Sequence, residues 1–327
     1  MLVSVIIPVY NGEPFLYRLF DCLMTQYYKD VEYIFVNDAS SDNSEKLIRS
    51  RLPDLDSGKI ICNPVNKGAG FSRNVGIAHS HGDYVLFLDA DDIIPPDSIE
   101  RLVQNALAFN RPDMIIGEAS CPGYHYNFGQ DLYLANNSLI REKYFHHAWY
   151  EMPWNKLMKK DFLLKNHLLF DEGVYSEDTV WSLQVSLKAE SILLVPGVSY
   201  YYQYQHSDSQ KTAEKDIIKA TDHRLQLFER LYGVVAEDGN DTLARLYLLD
   251  LCTSYMVSVI QNPSIPRDLV SRAYSQIRKL ATPQDAIWGL FESYLAFGMR
   301  LSCLYRCLPY NVGLVFLRVV GKITGQY

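Results

Sequence analysis

Over the first 120 residues, short apolar runs alternate with segments in which apolar residues recur at helical spacing. The continuous runs, typical of strands buried on both faces, cover residues 3–9, 31–36, 59–62, 84–88 and 114–117. The helically spaced segments cover residues 13–27, 43–52, 71–78 and 97–109. This order predicts an α/β, Rossmann-like fold with a mostly parallel sheet and helices on both faces.

The pattern changes twice further along the chain. From about residue 120 to 210 the alternation weakens and aromatic residues become frequent, and from residue 214 onward the spacing is helical. The predicted helices cover residues 217–232, 242–259, 266–280 and 283 to the end. We therefore predict one domain over residues 1–212, with halves at 1–118 and 119–212, and a helical C-terminal region over 213–327.

A cluster of carboxylates, Asp89, Asp91 and Asp92, directly follows the predicted strand 84–88. Open α/β sheets bind ligands at the carboxyl ends of their strands. Clustered carboxylates repel one another unless a cation compensates, and a hard divalent ion prefers oxygen ligands shared with substrate phosphates. The cluster therefore predicts a metal–diphosphate site; the alternative is an acidic turn that caps the next helix.

Composition narrows the class of protein. The 327 residues carry a net charge of −7, so we expect no nucleic-acid partner. The six cysteines are scattered without C-x-x-C pairs, which favours free, buried thiols in a reducing compartment. No stretch reaches the ~20 apolar residues of a membrane span and no signal peptide is apparent, so we expect a cytoplasmic location.

Four segments in register resemble the family 2 glycosyltransferases, inverting enzymes of the GT-A fold that include bacterial polysaccharide-biosynthesis enzymes. They are Ser-Val-Ile-Ile-Pro-Val-Tyr-Asn at 4–11, Val-Asn-Asp-Ala-Ser-Ser-Asp at 36–42, Asn-Lys-Gly with Ser-Arg-Asn-Val-Gly within 66–76, and Asp-Ala-Asp-Asp at 89–92. Looser matches at 154–156, 176–179 and 200–202 extend the resemblance to about residue 210. The resemblance implies that residues 1–118 bind a nucleotide sugar and residues 119–212 an acceptor.

The resemblance implies a nucleotide-sugar donor, with a UDP-sugar favoured. The residues implied for donor binding are Pro8, Tyr10, Asn11, Asp38, Lys67, Arg73 and Asp89. Three of these residues have structural alternatives. Tyr10 could pack in the core, Asp38 could form an Asx turn with a nearby serine, and Arg73 could be a surface cation paired with an acid.

The same resemblance implies a bound Mn²⁺ or Mg²⁺ as cofactor. Asp91 matches the metal position of the D-x-D motif and Asp89 the ribose or metal position, and Asp92 is either a third ligand or a group that orients the ligands. His206 is a further candidate for contact with the metal or the diphosphate, with a solvated loop histidine as its alternative.

Asp178 matches the base that takes the proton of the acceptor hydroxyl, and Glu177 is its neighbour or an acceptor-binding residue. The alternative for both is an ordinary acidic first turn of a helix. Trp154 is either an acceptor wall or a core residue. The Q-x-x-R-W signature of processive polymerases is absent, which favours transfer of a single sugar.

The C-terminal segment 293–327 contains four basic residues and no acid, interleaved with apolar positions. This composition suits an anionic membrane surface, which would place the protein peripherally at the inner face of the cell membrane beside a glycan or lipid-linked acceptor. The alternatives are a terminal helix packed on the core and a homodimer contact.

Two other classes of protein compete with the glycosyltransferase interpretation. A haloacid dehalogenase-type phosphatase would use Asp89 as nucleophile. However, three β–α units precede Asp89, and Ile93 stands where that motif has threonine or valine. The second competitor is a non-catalytic sugar-binding scaffold, against which the intact acidic residues argue.

Overall fold

The structure is a computed structural model that describes residues 1–121, 124–125, 127–173, 176–203, 214–239, 241–262, 265–280, 305 and 307–324. The chain forms two compact units, of which the first comprises Met1–Gly173 and Glu177–Asp208, and the second comprises Val174–Ser176 and Ser209–Tyr327. The predicted boundary after residue 212 lies just beyond the end of the first unit.

In the described part of the chain, nine strands are found, and all lie in the first unit. They are β1 (Val3–Val9), β2 (Val31–Asn37), β3 (Gly58–Cys62), β4 (Tyr84–Phe87), β5 (Met114–Cys121), β6 (Tyr124–His125), β7 (Leu132–Leu134), β8 (Lys156–Lys159) and β9 (Ile192–Tyr201). Its helices are α1 (Glu13–Met24), α2 (Ser44–Arg51), α3 (Ala69–Ala78), α4 (Ser98–Ala108), α5 (Asn137–Phe145), α6 (Lys160–Lys165) and α7 (Glu177–Lys188), with a short 3₁₀ turn at Leu52–Asp54. Strand β5 runs across the predicted division at 118/119.

All strands join one sheet in the order β3-β2-β1-β4-β8-β5-β9-β7, with β6 paired to β5. Strands β1 to β4 are parallel neighbours, and β5 and β9 run in the same direction across the antiparallel β8. The strand order reverses between β1 and β4, which is where open α/β sheets bind ligands. The carboxyl ends of six strands therefore gather at one edge.

Helices cover both faces of the sheet. The odd-numbered residues of β1 pack with apolar residues of α1 and α4 in a continuous core. Ile6 points to the opposite face, where α3 approaches so closely that a Cβ on Gly76 would lie 2.2 Å from Ile6 Cγ2. Alternate residues of a strand point to opposite faces, so buried strands need apolar residues at both registers.

The second unit is helical over its described residues: α8 (Glu214–Glu237), α9 (Thr242–Gln261), α10 (Arg267–Leu280) and α11 (Tyr310–Thr324). Asp241 caps α9 by accepting from the backbone N–H groups of Leu243 and Ala244. The Tyr274 hydroxyl lies within hydrogen-bond distance of two carbonyls, those of Tyr305 and Leu308, both at 2.9 Å. These contacts tie α10 to the residues that precede α11.

Two expectations from composition are corrected. Helix α9 is long and apolar enough to cross a membrane by length and composition, although half of that window is buried, as in an ordinary core helix. Charged residues interrupt the apolar run in the sequence, but the mean hydropathy of the helix still reaches that of a candidate membrane span. Among the described cysteines, Cys252 is buried but Cys62 and Cys307 are exposed. Cys62 ends a strand at the edge of the sheet.

Candidate active site

A cleft of about 480 Å³ opens at the edge where β1, β2 and β4 end. The cleft is lined by Pro8, Val9, Tyr10, Gly12, Phe15, Asp38, Asn66, Gly68, Ala69, Ser72, Arg73, Asp89, Ala90 and Asp91. All four motif segments that predicted a ligand site contribute to this lining. Their meeting follows from the parallel register, because each segment directly follows or lies near the carboxyl end of a neighbouring strand.

Arg73 is the central cation of the cleft and is only 6% exposed. Its guanidinium donates to Asp89 Oδ1 at 2.8 Å and to Glu177 Oε1 at 3.2 Å. Burial opposes the charge of Arg73, but these carboxylates outweigh it and raise the pKa. Arg73 is thus a buried bridge between the D-x-D segment and the start of α7, and the alternative of a surface cation is wrong.

Close packing at a glycine makes this bridge possible. A Cβ on Gly70 would lie 2.7 Å from Glu177 Cγ and 3.1 Å from Phe170 Cβ. Any larger residue at position 70 would push α3 away from α7 and separate Arg73 from Glu177.

Asp89 and Asp91 face the cleft together. Asp89 has Arg73 as its ion-pair partner, whereas burial and the neighbouring Asp89 charge raise the pKa of Asp91. The Arg18 guanidinium contacts the backbone carbonyl of Asp91 and lies close enough to lower that pKa in part. Asp91 is therefore a partly buried carboxylate that repels its neighbour, as expected for an acid that lacks a cation.

Asp92 differs from the two other acids because it is 1% exposed and does not line the cleft. Its Oδ2 accepts from the Tyr200 hydroxyl at 2.6 Å, and its Oδ1 accepts from the Gln203 backbone N–H at 2.7 Å. Burial raises the pKa of Asp92 to about 7, against the effect of these two donors. Of its two predicted roles, the geometry favours orientation of the loop over direct ligation.

Asp38 lies at the cleft but is 2% exposed. Its carboxylate accepts from Asn63 Nδ2 at 2.7 Å and from the backbone N–H groups of Lys67, at 3.1 Å, and Gly68, at 2.7 Å. These donors occupy both oxygens and fix the loop that leads into α3. The Asx turn predicted for Asp38 is wrong, since Asn37 accepts from Ser40 N–H instead. Contact with a nucleotide base stays a prediction and would compete with these donors.

Of the donor-binding residues predicted at the end of β1, Pro8 and Tyr10 line the cleft and Asn11 does not. Tyr10 is 55% exposed beside the cleft, so core packing is excluded for it. Pro8 lines the cleft, whereas Asn11 is exposed and its Oδ1 accepts from Ser41 N–H at 2.8 Å. Lys67 does not line the cleft, and its ammonium lies 4.1 Å from the centroid of the Phe71 ring.

Glu177 and Asp178 begin α7, as predicted. The Glu177 side chain is 21% exposed and paired with Arg73, and burial raises its pKa although Arg73 lowers it in part. Asp178 Oδ1 accepts from the backbone N–H of Thr179 at 2.9 Å. Glu177 and Asp178 are therefore both the acidic first turn of α7 and the candidate catalytic carboxylates. The geometry is compatible with a role in the helix and with a role in catalysis.

Trp154 does not present a ring to an acceptor, since it is only 5% exposed. Its ring stacks on Tyr200 with centroids 4.7 Å apart and planes at 10°. The predicted acceptor wall at Trp154 is therefore wrong, and the core-packing alternative applies. His206 lies outside the described residues.

Two buried residues that support the site were not predicted. Tyr200 and Lys156 lie in the looser motif matches at 200–202 and 154–156, which give no role to either side chain. Lys156 is 1% exposed and donates to Met152 O at 2.6 Å and to Asn155 Oδ1 at 3.0 Å. Burial lowers the pKa of Lys156 to about 7, an effect that the Glu151 and Asp178 carboxylates reduce. The matches do not indicate these positions, because only the fold shows that each residue is buried beside charged groups.

The donor chemistry of the cleft fits a hard divalent ion. Asp89 and Asp91 supply carboxylate oxygens at the cleft, and burial together with the Asp89 charge raises the pKa of Asp91. Among the described residues, no group of three or more His, Cys, Asp or Glu side chains could hold a metal ion alone. An ion at Asp89 and Asp91 would therefore need further ligands from a substrate or water.

Comparison with known proteins gives consistent matches. The model described as Glycosyl transferase family 2 matches residues 4–166. Uncharacterized glycosyltransferase EpsJ of Bacillus subtilis (strain 168) is 27% identical over 308 residues, which cover 85% of this chain and 85% of EpsJ.

Two solved structures resemble the chain. S. aureus TarS in complex with UDP-GlcNAc matches with a TM-score of 0.74 and 18% identity, over 100% of this chain and 93% of that chain. Mannosyltransferase PcManGT from Pyrobaculum calidifontis, in complex with GDP-Man and Mn²⁺, matches with a TM-score of 0.54 and 17% identity, over 99% and 87% of the two chains. These likenesses confirm the predicted fold class.

Proposed function

The chain belongs to glycosyl transferase family 2, and from that membership we propose that it moves one sugar from a nucleoside diphosphate sugar to an acceptor hydroxyl, with inversion. The observation that carries the proposal is the bridge from Asp89 through Arg73 to Glu177. It holds a candidate donor site and a candidate acceptor site side by side, as direct transfer requires.

The donor is proposed to occupy the cleft with its base near Tyr10 and its diphosphate near Asp89 and Asp91. The exposed Tyr10 ring offers a flat surface for a base. A UDP-sugar is favoured because the structural neighbour TarS was solved with UDP-GlcNAc.

Asp89 and Asp91 are proposed to hold Mn²⁺ or Mg²⁺ together with the diphosphate. When bound, the ion offsets negative charge on the leaving nucleoside diphosphate. Support comes from the carboxylate oxygens of Asp89 and Asp91 at the cleft and from PcManGT, which was solved with GDP-Man and Mn²⁺. Arg73 keeps Asp89 in place by its 2.8 Å ion pair.

Asp178 is proposed as the base that accepts the proton of the acceptor hydroxyl. It lies at the start of α7, next to the residue that Arg73 anchors. Its Oδ1 accepts from the backbone N–H of Thr179 in the first turn of α7, and a carboxylate oxygen is the acceptor that a base of this kind supplies. Glu177 is proposed to fix this turn and to contact the acceptor.

A nucleotide screen tests the donor site. We expect UDP with Mn²⁺ to raise the melting temperature of the full chain, because a ligand that binds only the folded state stabilises it. GDP, ADP and UDP without metal are the comparison ligands. No shift with any nucleotide at millimolar concentration would contradict the proposed function.

An Asp178→Asn variant tests the proposed base. Transfer should fall by about 10³-fold, within the usual range for loss of a general base, while UDP–Mn²⁺ affinity stays near the wild-type value. Sugar transfer and nucleotide binding are measured on the same preparation. Loss of both would assign Asp178 to the structure of α7 instead of to catalysis.

We further propose that the C-terminal region touches an anionic membrane surface, which would place the enzyme beside a lipid-linked or glycan acceptor at the inner face of the membrane. Three valines on α11 are exposed: Val312 at 53%, Val315 at 60% and Val319 at 49%. They recur at helical spacing in a segment whose sequence carries basic residues and no acid between 293 and 327.

Vesicle sedimentation tests this membrane proposal. Replacing the three valines with serine should weaken binding to vesicles that contain phosphatidylglycerol. Leu107→Ser is the matched control, because Leu107 is an exposed apolar residue at 52% on a helix of the first unit. Unchanged binding by the valine variant would instead favour a packing or dimer role for α11.

The competing interpretations have less support. The family match spans the segment that contains Asp89, and Asp89 is ion-paired with Arg73, which would hinder its use as a phosphatase nucleophile. A non-catalytic scaffold would not need the unbalanced carboxylate at Asp91.

A further inference from the structure

Tyr200 lies beneath the acidic loop 89–92, and no step proposed above uses it. The side chain is fully buried near the end of β9. Its hydroxyl accepts from the Asp89 backbone N–H at 3.3 Å and donates to Asp92 Oδ2 at 2.6 Å. One hydroxyl therefore contacts both ends of the loop that carries the D-x-D motif.

Two backbone hydrogen bonds also join the chain next to Tyr200 to the acidic loop and to the residue that follows it. The backbone N–H of Gln203 donates to the other oxygen of Asp92 at 2.7 Å. The N–H of Tyr201 donates to the Ile93 carbonyl at 2.9 Å. The end of β9 is thus fastened to the loop by backbone as well as by side-chain contacts.

Trp154 completes the support by fixing the ring of Tyr200. The two rings stack at 4.7 Å with planes at 10°, and both are buried. A stacked, buried ring has little rotational freedom, so the position of the hydroxyl is set by the core and not by the loop.

We propose that Tyr200 is a positioning residue for donor binding. It turns Asp92 away from the cleft and holds the backbone of Asp89, so that Asp89 and Asp91 face the cleft. This inference rests on the proposed function, because the donor is the ligand that the loop would bind. It assigns a role to a residue that touches neither the cleft nor the acceptor.

Tyr200→Phe tests the inference, since it removes only the hydroxyl and keeps the stacking ring. We expect the affinity for UDP in the presence of Mn²⁺ to fall about tenfold, the usual size of losing one buried hydrogen bond to a charged group. Nucleotide binding is measured by calorimetry, and bound Mn²⁺ by the loss of its free-ion electron paramagnetic resonance signal. UDP and GDP are both used.

Tyr84→Phe is the matched control. Tyr84 is also fully buried and donates its hydroxyl to the Pro112 carbonyl at 2.6 Å. It is the first residue of β4, at the opposite end of that strand from the acidic loop. Both variants should lower the melting temperature by a few degrees. Only Tyr200→Phe should weaken nucleotide binding, which separates positioning from general stability.

A double-mutant cycle that combines Tyr200→Phe with Asp92→Asn tests whether Tyr200 acts through Asp92. If Tyr200→Phe does not fold, the single Asp92→Asn variant gives a second measurement. The double variant should bind UDP–Mn²⁺ no more weakly than Asp92→Asn alone. Additive losses, or wild-type affinity in either single variant, would overturn the inference. Failure of the wild-type chain to bind any nucleotide would overturn the proposed function, and the inference with it.

Discussion

Buried carboxylates lie at both edges of the sheet in the first unit, but their surroundings are opposite. At the amino edge, Glu32 accepts from Ser4 Oγ at 2.6 Å, from Lys59 Nζ at 3.1 Å and from the His81 backbone N–H. Burial opposes its ionisation, yet these donors outweigh it and hold the pKa at about 2. At the carboxyl edge, burial raises the pKa of Asp91 and of Asp92.

The difference teaches which acids maintain the fold and which are kept for a ligand. Glu32 is fully provided with donors, so its charge stabilises the native state. Asp91 faces a cleft beside another acid and has no such set, so its charge costs stability until a cation arrives. Residue type alone does not separate these roles, whereas the number of donors around each acid and its position relative to the cleft do.

The largest expected effect is on activity at the carboxyl edge. Asp91→Asn should lower sugar transfer by about 10³-fold, because it weakens one of the two oxygen ligands that we propose for the metal. The melting temperature of the metal-free protein should stay the same or rise, since the substitution removes a charge that burial and Asp89 disfavour. Transfer assays and thermal denaturation in a chelator check both. A marked fall in the melting temperature of the metal-free variant would contradict the proposed difference between the acids at the two edges of the sheet.

The opposite outcome is expected at the amino edge. Glu32→Gln should lower the free energy of unfolding at neutral pH by about 3 kcal/mol, because the donors around Glu32 lose their charged partner. Transfer at temperatures well below melting should remain near wild type. Urea denaturation and the same transfer assay provide the two measurements. An equal loss of transfer would mean that the amino edge also shapes the active site.

The pH dependence of that stability difference is a sharper test. The folded pKa of Glu32, about 2, lies below its usual 4.5, so its stabilisation is fully present above pH 4.5 and is lost as the pH falls towards 2. Asp92 has the opposite sign: its raised pKa favours the folded state at low pH, and this contribution is lost as the pH rises through about 7. Unfolding of wild type, Glu32→Gln and Asp92→Asn between pH 3 and 8, in a chelator, should show the two trends.

The smallest effect is expected for His81→Ala. The His81 side chain is 74% exposed, and Glu32 keeps the backbone N–H of residue 81 as a donor in the variant. The free energy of unfolding should fall by about 0.5 kcal/mol or less, as for other exposed pairs. Urea denaturation at pH 7 measures it. A loss comparable to that of Glu32→Gln would show that the imidazole, and not the buried donor set, maintains the charge of Glu32.

Much of the fold could be predicted because it depends on local periodicity. The five strands predicted in the first 120 residues all occur, and the helices between them differ by a few residues at their ends. Strand β5 extends further than predicted, to Cys121, because its outer half pairs with β9 across an irregular register that no local pattern indicates.

The candidate site could be predicted in part, for a related reason. Tyr10, Asp38 and Asp89 follow strands that lie side by side, so their meeting follows from strand direction and order. Trp154 was misplaced because an aromatic residue near a motif has the same appearance in a sequence whether it faces solvent or the core. Its burial depends on Tyr200, which follows it by 46 residues along the chain and reaches it through β9.

The sequence by itself determined the β–α order, the carboxylates that end β4 and the family to which the chain belongs, because these depend on neighbouring residues and on motifs a few residues long. Only the tertiary structure decided which acid is paired, which is turned inward and which is left facing the cleft. Arg73 reaches Glu177 across 104 residues of chain, and Tyr200 reaches Asp92 across 108. The charge that a buried acid carries depends on donors brought from such distances, and no local pattern encodes them.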